Sequence, residues 1–241
     1  TMDYMMNSPL CFGGPAMAIR KASVSKVYAS LADWRNFQFK LFSEGIVVGI
    51  FSGLVVVAFR LALQQAESLR IAIYSRLLDF NWPFVLVWFA FLFIIAYVLN
   101  LIVTLEPMSA GSGIPQVKGA ILGALKMHWG KILAGKLVGG TLAIGAGLSL
   151  GREGPSVQMG AVIGQGLSRF LGRTRMEERY LMTSGASAGL AAAFNAPLAG
   201  VVFSLEELHK NFSSTIVLPT IAAALTADVV SQYFFGDGSI F

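Results

Sequence analysis

Cysteine and histidine are almost absent from this sequence. It contains one cysteine and two histidines in 241 residues. A single cysteine, Cys11, cannot form an intramolecular disulfide, and it has no companion ligands at the spacings that bind metal ions. The composition therefore excludes a disulfide-stabilised secreted domain, and we expect no metal site and no cofactor.

Charged side chains are also scarce. They make up 13% of the residues, against 55% hydrophobic residues, and the mean hydropathy is +0.67. Soluble globular domains carry about 25% charged residues, so these values indicate an integral membrane protein. The apolar segments lack the alternation of a membrane strand. We therefore expect an all-α, multi-pass protein.

Long apolar stretches mark the predicted spans. Crossing about 30 Å of hydrocarbon takes about 20 apolar residues. The stretch from Phe84 to Leu105 has that length, with Asn100 as its only strongly polar member. Gly45 to Leu63 predicts an earlier span, in which we expect the long side chain of Arg60 to extend toward the membrane interface.

Basic residues dominate the segment before the first span. By the positive-inside rule they predict a cytoplasmic N-terminal segment over residues 1–40, amphipathic in pattern, followed by a transmembrane domain over 41–241. The net charge of +5 then reflects orientation and contact with lipid headgroups, so we expect no nucleic-acid partner. No cleavable signal peptide is visible, and we expect a plasma or inner membrane location. The basic residues are Arg20, Lys21, Lys26, Arg35 and Lys40.

After Leu105, glycines and prolines interrupt the hydrophobic segments. Lipid-exposed backbone must satisfy its own hydrogen bonds, so non-helical breaks persist only where protein buries them or where water and ions replace the missing partners. Repeated breaks therefore predict tilted, broken and re-entrant helices around a cavity. The breaks fall at 111–115, 139–151, 154–155 and 195–197.

The first break reads Gly-Ser-Gly-Ile-Pro at 111–115. The glycines allow a tight turn, and Pro115 suits the first turn of a helix, where its missing N–H is not needed. A helix N-terminus carries about half a positive charge and several unpaired donors. Free N–H groups around Gly113 and Ile114, with the Ser112 hydroxyl, therefore predict an anion site without a full positive charge.

The second break reads Gly-Arg-Glu-Gly-Pro at 151–155 and carries an ionisable pair in an apolar run. A carboxylate at membrane depth is costly and marks a functional site by default. At the start of a helix, an ionised Glu153 can occupy an anion site and leave it when protonated, which would make it both a gate and a proton acceptor. The alternative is that Glu153 only caps the helix.

These two motifs, with the stretch GLAAAFNAPLAGVVFSLEE at 189–207, resemble the CLC family of chloride channels and proton-coupled chloride antiporters. The resemblance covers residues 45 to 241. It implies a fold in which this chain is the first half of a pair of inverted repeats, and it implies chloride transport across a membrane without enzyme chemistry. The sequence therefore predicts a transporter or channel with no catalytic residue.

The resemblance also implies roles for individual residues. Ser112 matches the serine that coordinates the central anion, Glu153 the external gating glutamate, and Gly154 an amide donor beside it. Glu207 matches the internal glutamate that passes protons in family antiporters, whereas family channels commonly carry an uncharged residue there. This favours proton-coupled antiport, with a passive channel as the alternative. Supporting candidates are Arg152 and Glu206.

The anion expected from the resemblance is chloride. Nitrate-preferring plant relatives tend to place proline at the position of Ser112, and fluoride-exporting relatives depart from the motif at 151–155. Neither departure appears in this sequence. Similar monovalent anions are expected to permeate too, because backbone dipoles discriminate size and charge loosely.

A complete CLC subunit resembles two inverted halves, and the sequence ends where the first half would end. The resemblance implies that the remaining ligands of the anion site belong to the second half. Either this is the N-terminal piece of a longer transporter, or it is a half-length protein that pairs with another chain. An inactive assembly subunit, with its glutamates paired to arginines such as Arg152, is a further alternative. Full subunits form homodimers in this family.

A different functional class is suggested by Gly185-Ala186-Ser187-Ala188-Gly189. It fits the G-x-S-x-G pattern of serine hydrolases and resembles the serine motif of rhomboid-type intramembrane proteases. Such a protease needs a base near the serine. The candidate bases are His128 and His209, and neither lies in a small-residue helix motif.

Overall fold

The structure, a computed structural model, describes the backbone of residues 15–78, 82–210 and 212–236, and the side chains of 35–76, 82–210 and 212–236. Cys11 and the side chains of Arg20, Lys21 and Lys26 lie outside these ranges. The described backbone contains helices and no strand, which confirms the all-α prediction. The helices are α1 (Pro15–Leu78), α2 (Trp82–Leu105), α3 (Ile114–Ile121), α4 (Trp129–Gly145), α5 (Glu153–Phe170), α6 (Arg175–Phe194), α7 (Pro197–Phe203) and α8 (Ser214–Phe235).

The chain divides into two compact units, Thr1–Lys40 and Leu41–Phe241. Within the described residues, three helical segments are long and apolar enough to cross a membrane: Arg35–Arg76, Trp82–Leu105 and Ser214–Phe235. The second of these agrees with the span predicted from Phe84 to Leu105. Only 6% of its most apolar window is buried within the chain, so α2 presents its apolar side chains to lipid or to another polypeptide.

Helices α1 and α8 pack through a row of small residues. A Cβ atom added at Gly49 would lie 3.0 Å from the Cα of Ala223, and one added at Gly53 would lie 3.1 Å from the Cα of Ala227. Larger residues at these positions would separate the two backbones. The spacing of four residues is the small-residue motif by which membrane helices approach closely.

The centre of the bundle is the contact between α5 and α6. A Cβ atom at Gly160 would lie 2.9 Å from the carbonyl carbon of Gly185, and a Cβ atom at Gly164 would lie 2.6 Å from that of Leu181. The two backbones therefore touch along more than one helical turn. This contact fixes the position of α5, whose first turn carries Glu153.

Helices α3 and α7 are too short to cross a membrane. The eight residues of α3 span about 12 Å at the usual rise. It begins after Gly113, which has a φ of +93°, and Asn195, the residue after the end of α6, has a φ of +53°. After α7 the chain continues as a π-helix, Ser204–His209. Such π segments are rare and often occur at functional sites. These breaks bring helix ends to the interior of the molecule.

Candidate functional site: two helix N-termini at one cavity

The two glycine-rich motifs meet in space. A Cβ atom added at Gly154 would lie 2.9 Å from the Cβ of Ser112 and would overlap the Ser112 carbonyl oxygen. Gly154 is buried in the first turn of α5, and Ser112 lies two residues before the first residue of α3. Only glycine permits this approach. The N-terminal ends of α3 and α5 therefore converge, although their motifs are about 40 residues apart in the sequence.

A cavity of about 520 Å³ opens where the two helices begin. Its wall contains four of the predicted site residues, Ser112, Ile114, Glu153 and Gly154, together with Lys136 of α4. The remaining wall is formed mainly by glycines and aliphatic side chains of α2 and α4. This arrangement combines two positive helix ends with an apolar wall, which is the electrostatic setting that favours a small anion.

Side-chain donors fix the segment from Met108 to Gly111 that precedes α3. The amide of Gln158 donates to the Met108 carbonyl at 2.8 Å, and the amide of Gln116 donates to the Ala110 carbonyl at 2.9 Å. The Lys136 ammonium donates to the Gly111 carbonyl at 2.6 Å. Three carbonyl groups in the four residues before Ser112 therefore accept side-chain hydrogen bonds. This holds the loop in one conformation beside the cavity.

Gln158 also explains why position 113 is a glycine. A Cβ atom there would lie 2.6 Å from the Gln158 side-chain carbonyl carbon, and the backbone has a positive φ that disfavours other residues. The Oε1 atom of Gln158 is buried without a hydrogen-bond partner among the described residues. Gln158 therefore holds the loop in place in two ways. Its side-chain N–H₂ group donates a hydrogen bond to the loop, and the side chain packs directly against Gly113.

Glu153 is the first residue of α5, and its side chain folds back against the preceding turn. A Cβ atom at Gly151 would lie 3.1 Å from the Glu153 carboxyl carbon. Among the described residues, no ion pair involves Glu153, and its side chain is exposed to the cavity. The neighbouring Arg152 instead lies over the ring of Phe194, with 5.9 Å between the guanidinium carbon and the ring centroid. The pairing of Glu153 with Arg152 considered above is not formed.

Glu207 lies away from the cavity, on the π-helix that follows α7. Its Oε1 atom accepts a hydrogen bond of 2.6 Å from the ammonium of Lys118 on α3. This bond lowers the pKa of Glu207 below its usual value. Lys118 lies five residues after Gly113, a helical rise of about 8 Å. Glu206, beside it, is exposed. The structure therefore separates Glu207 from the residues that surround Ser112.

The serine motif on α6 is not arranged for catalysis. Ser187 is fully buried, and its Oγ has no hydrogen-bond partner among the described residues. The Nδ1 atom of His209 lies 3.2 Å from Thr183 Oγ1, and the Nδ1 atom of His128 lies 3.9 Å from Glu106 Oε2. Neither candidate base contacts Ser187. The motif instead packs α6 against neighbouring helices.

Comparison with known proteins agrees with this geometry. The sequence profile described as voltage gated chloride channel matches residues 91–241, which is more than half of the chain. The chain belongs to the CLC family. The matched region contains both glycine-rich motifs, the cavity and the π-helix.

Curated CLC relatives carry a transporter name. The chain is 38% identical over 193 residues to a protein of Citrobacter koseri named H(+)/Cl(-) exchange transporter ClcA, and 37% identical to a protein of the same name from Salmonella arizonae. In both cases the match covers 78% of this chain and 40% of the relative. The chain thus spans less than half the length of the relatives it matches. Their names describe transporters, and none describes an enzyme.

Solved CLC structures share the fold. A slow cyanobacterial Cl⁻/H⁺ antiporter aligns with a TM-score of 0.74 at 35% identity, over 83% of this chain and 48% of that protein. A CLC-type fluoride/proton antiporter aligns with a TM-score of 0.67 at 28% identity, over 81% of this chain and 47% of that protein. These alignments confirm the all-α, CLC-type fold predicted from the sequence motifs.

Sequence reasoning missed residues that act through tertiary contacts. Lys118 is paired with a glutamate 89 positions away, and Gln158 reaches a carbonyl 50 positions away. No local pattern marks either contact. The sequence gives a weak indication that Lys136 makes such a contact, because a lysine within an otherwise glycine-rich and apolar helix requires a polar partner.

Proposed function

We propose that this chain provides the anion site and the proton-transferring glutamates of a CLC chloride–proton exchanger. The observation that carries the proposal is the convergence of the α3 and α5 N-termini at one cavity, with Glu153 in its wall. The names of the 37–38% identical relatives, which are H(+)/Cl(-) exchange transporters, support chloride and protons as the transported ions.

The anion site uses the Ser112 hydroxyl and the backbone N–H groups of Gly113, Ile114 and Gly154. The first N–H groups of a helix have no partner within the helix, so they are available to a ligand. The Lys136 ammonium adds one full positive charge in the same wall. A site built mostly from partial charges holds chloride weakly enough to release it, as conduction requires.

Glu153 acts as the gate and the external proton acceptor. When ionised, its carboxylate competes with chloride for the donors at the start of α5. When a proton binds to one carboxylate oxygen, the side chain becomes neutral and leaves those donors to the anion. One proton is therefore taken up as one blocking charge is removed. Arg152 supports this turn by its contact with Phe194 rather than by pairing with the glutamate.

Glu207 is the internal residue that accepts protons from the cytoplasmic side and passes them toward Glu153, with Glu206 as a neighbouring acidic group. Its separation from the cavity supports two different routes, one for protons and one for anions. The exposure of both side chains allows exchange of protons with water.

Assembly of a complete exchanger requires a second half. The chain spans 40% of the length of its exchanger relatives, and inverted-repeat transporters place their sites between two halves. We propose that the cavity is closed by the second repeat, either in the same polypeptide or in a separate chain, and that complete subunits form homodimers in the lipid bilayer. The basic residues that precede the span from Gly45 to Leu63 orient the N-terminus to the cytoplasm.

The test is chloride efflux from liposomes with simultaneous recording of external pH. The 241-residue chain, the same chain joined to the second half of one of its ClcA relatives, and empty vesicles are compared. We expect the joined protein to move chloride and protons in opposite directions. Glu153→Gln should leave chloride flux independent of pH and uncoupled from protons, and Glu207→Gln should abolish proton movement while chloride still flows.

The outcomes separate the alternatives. Chloride flux without proton movement in the unmodified protein would indicate a passive channel. Proton coupling that survives both glutamine substitutions would show that the assigned roles are wrong. Flux from the 241-residue chain alone, above empty vesicles, would show that identical halves assemble a working pore.

A further inference from the structure

Lys118 and Glu207 join the anion-binding region to the proton-accepting region through one short helix. The ammonium and the carboxylate lie 2.6 Å apart and form a hydrogen-bonded ion pair. Helix α3 begins after Gly113, which follows Ser112, and carries Lys118 in its second turn. The same rigid element therefore holds the anion loop at one end and the Glu207 carboxylate near the other.

Other charged groups around Glu207 contribute less. Lys210, which ends the π-helix, also lowers the pKa of Glu207, but its effect ranks behind that of Lys118. Glu206 precedes Glu207 and has an exposed side chain. Among the described residues, Lys118 is the cation within hydrogen-bonding distance of the Glu207 carboxylate.

His209 is a further titratable group on the π-helix that carries Glu207. It faces α6, with Nδ1 3.2 Å from Thr183 Oγ1 and its ring 5.6 Å from the ring of Tyr180. Burial and, secondarily, the charge of Arg179 lower the pKa of His209. Both effects favour the neutral imidazole.

We propose that Lys118 is a positioning residue for proton entry, which holds the ionised Glu207 carboxylate at the base of the anion-loop helix until a cytoplasmic proton releases it. This inference rests on the role proposed above for Glu207. It assigns Lys118 a part in transport beyond fixing α3 to the π-helix.

The proposed step is the uptake of one proton by Glu207. A proton from water binds to the Glu207 carboxylate, the carboxyl becomes neutral, and Lys118 keeps its three protons and its charge. The charge-assisted hydrogen bond then weakens, because its acceptor is no longer ionised. Proton uptake and release of the carboxyl from α3 are therefore the same event. Removing Lys118 should let Glu207 take up its proton at higher pH.

The experiment is an infrared titration of the purified chain in lipid. The carboxyl band of Glu207 is obtained as the difference between each protein and the same protein carrying Glu207→Gln. We expect Lys118→Met to move half-protonation of this band to higher pH, and Lys118→Arg to restore the original position. At a pH near the original midpoint, the protonated-to-ionised ratio should rise roughly two- to fivefold, as for loss of a partly exposed ion pair.

Lys131→Met is the matched control, since Lys131 is an exposed lysine on α4, and it should leave the band unchanged. An unchanged titration in Lys118→Met, with folding verified by circular dichroism, would overturn the inference. A change of the same size in Lys131→Met would also overturn it, since the effect would then be general surface charge.

Transport in the joined protein separates this inference from the proposed function. If Lys118→Met shifts the internal pH dependence of proton flux and adds nothing to Glu207→Gln in the double variant, Lys118 acts through Glu207. If Glu207→Gln leaves proton flux intact while the infrared shift is present, the ion pair stands and the role in proton entry is wrong.

Discussion

Two buried cations, Arg60 and Lys136, are used in opposite ways. Each has less than 7% of its surface exposed, and among the described residues neither forms an ion pair with a carboxylate. Arg60 of α1 donates to the Ala192 carbonyl at 2.9 Å and to Ser231 Oγ at 2.7 Å. Lys136 donates to one described acceptor, the Gly111 carbonyl, in the wall of the cavity.

Protein groups surround the Arg60 guanidinium. It also donates to Asn195 Oδ1 at 3.3 Å and lies 3.9 Å from the centre of the Phe235 ring. These contacts join α1, the C-terminal end of α6 and α8. The carbonyl end of a helix carries a partial negative charge that a cation stabilises. Arg60 is thus balanced by the protein itself and has a structural role.

The Lys136 ammonium borders the cavity, and protein groups balance its charge only in part. An ammonium has three donors, and a buried charge is stable only when its donors and its charge are matched. The ammonium lies in the wall of the cavity, which is large enough to admit water or a small anion. A buried cation balanced by protein groups thus stabilises a helix junction, whereas one left partly unbalanced beside a cavity favours a bound anion.

The largest expected effect comes from Arg60→Met. The substitution keeps much of the side-chain volume but leaves the Ala192 carbonyl and the Asn195 side chain without their charged donor. Loss of hydrogen bonds to a charged group of this kind costs about 3 kcal/mol. We expect a clear fall in the midpoint of thermal unfolding in detergent, with the chloride affinity of the folded fraction unchanged. If Arg60→Met instead altered the chloride affinity and left the unfolding midpoint unchanged, the structural role assigned to Arg60 would be wrong.

A second substitution tests the cavity without removing a charge. Gly154→Ala places a Cβ atom against the backbone of Ser112 and should force α3 and α5 apart. Overpacking of this kind costs about 1–3 kcal/mol, and we expect chloride binding by calorimetry to weaken about tenfold. The control is Gly130→Ala in α4, where an added Cβ atom would meet nothing within 4 Å. If Gly154→Ala and Gly130→Ala weakened chloride binding equally, the close approach of α3 and α5 would not be what determines chloride affinity.

Much of the fold was predictable because local rules determine it. The apolar run from Phe84 to Leu105 became α2, and the breaks at 111–115 and 151–155 became the starts of α3 and α5, as glycine and proline dictate. The prediction for Arg60 was wrong. A lysine or arginine near the end of an isolated span extends to the interface, but here α6 and α8 offer acceptors within the bundle, and hydropathy contains no information about neighbouring helices.

The candidate site was predictable in its parts but not in its connections. The candidate anion loop at Ser112 and the candidate gating residue Glu153 were each predicted from a helix N-terminus in an apolar run. Their convergence depends on the glycine contact between α5 and α6, and the Lys118–Glu207 pair depends on where the π-helix places its second glutamate. Such contacts join residues tens of positions apart, so only the folded chain reveals them.

The smallest expected effect, and the one that most directly tests the comparison, is that of Lys136→Met. It removes the cation from the cavity wall and leaves the Gly111 carbonyl to water, which the cavity can admit. Two unit charges about 4 Å apart in a water-like medium interact by about 1 kcal/mol, so we expect chloride binding to weaken about fivefold with the unfolding midpoint nearly unchanged. Lys136→Arg keeps the charge and should retain most of the affinity. If Lys136→Met instead lowered the unfolding midpoint as much as Arg60→Met and left chloride affinity intact, Lys136 would be a second structural cation, and the anion site would depend on helix ends alone.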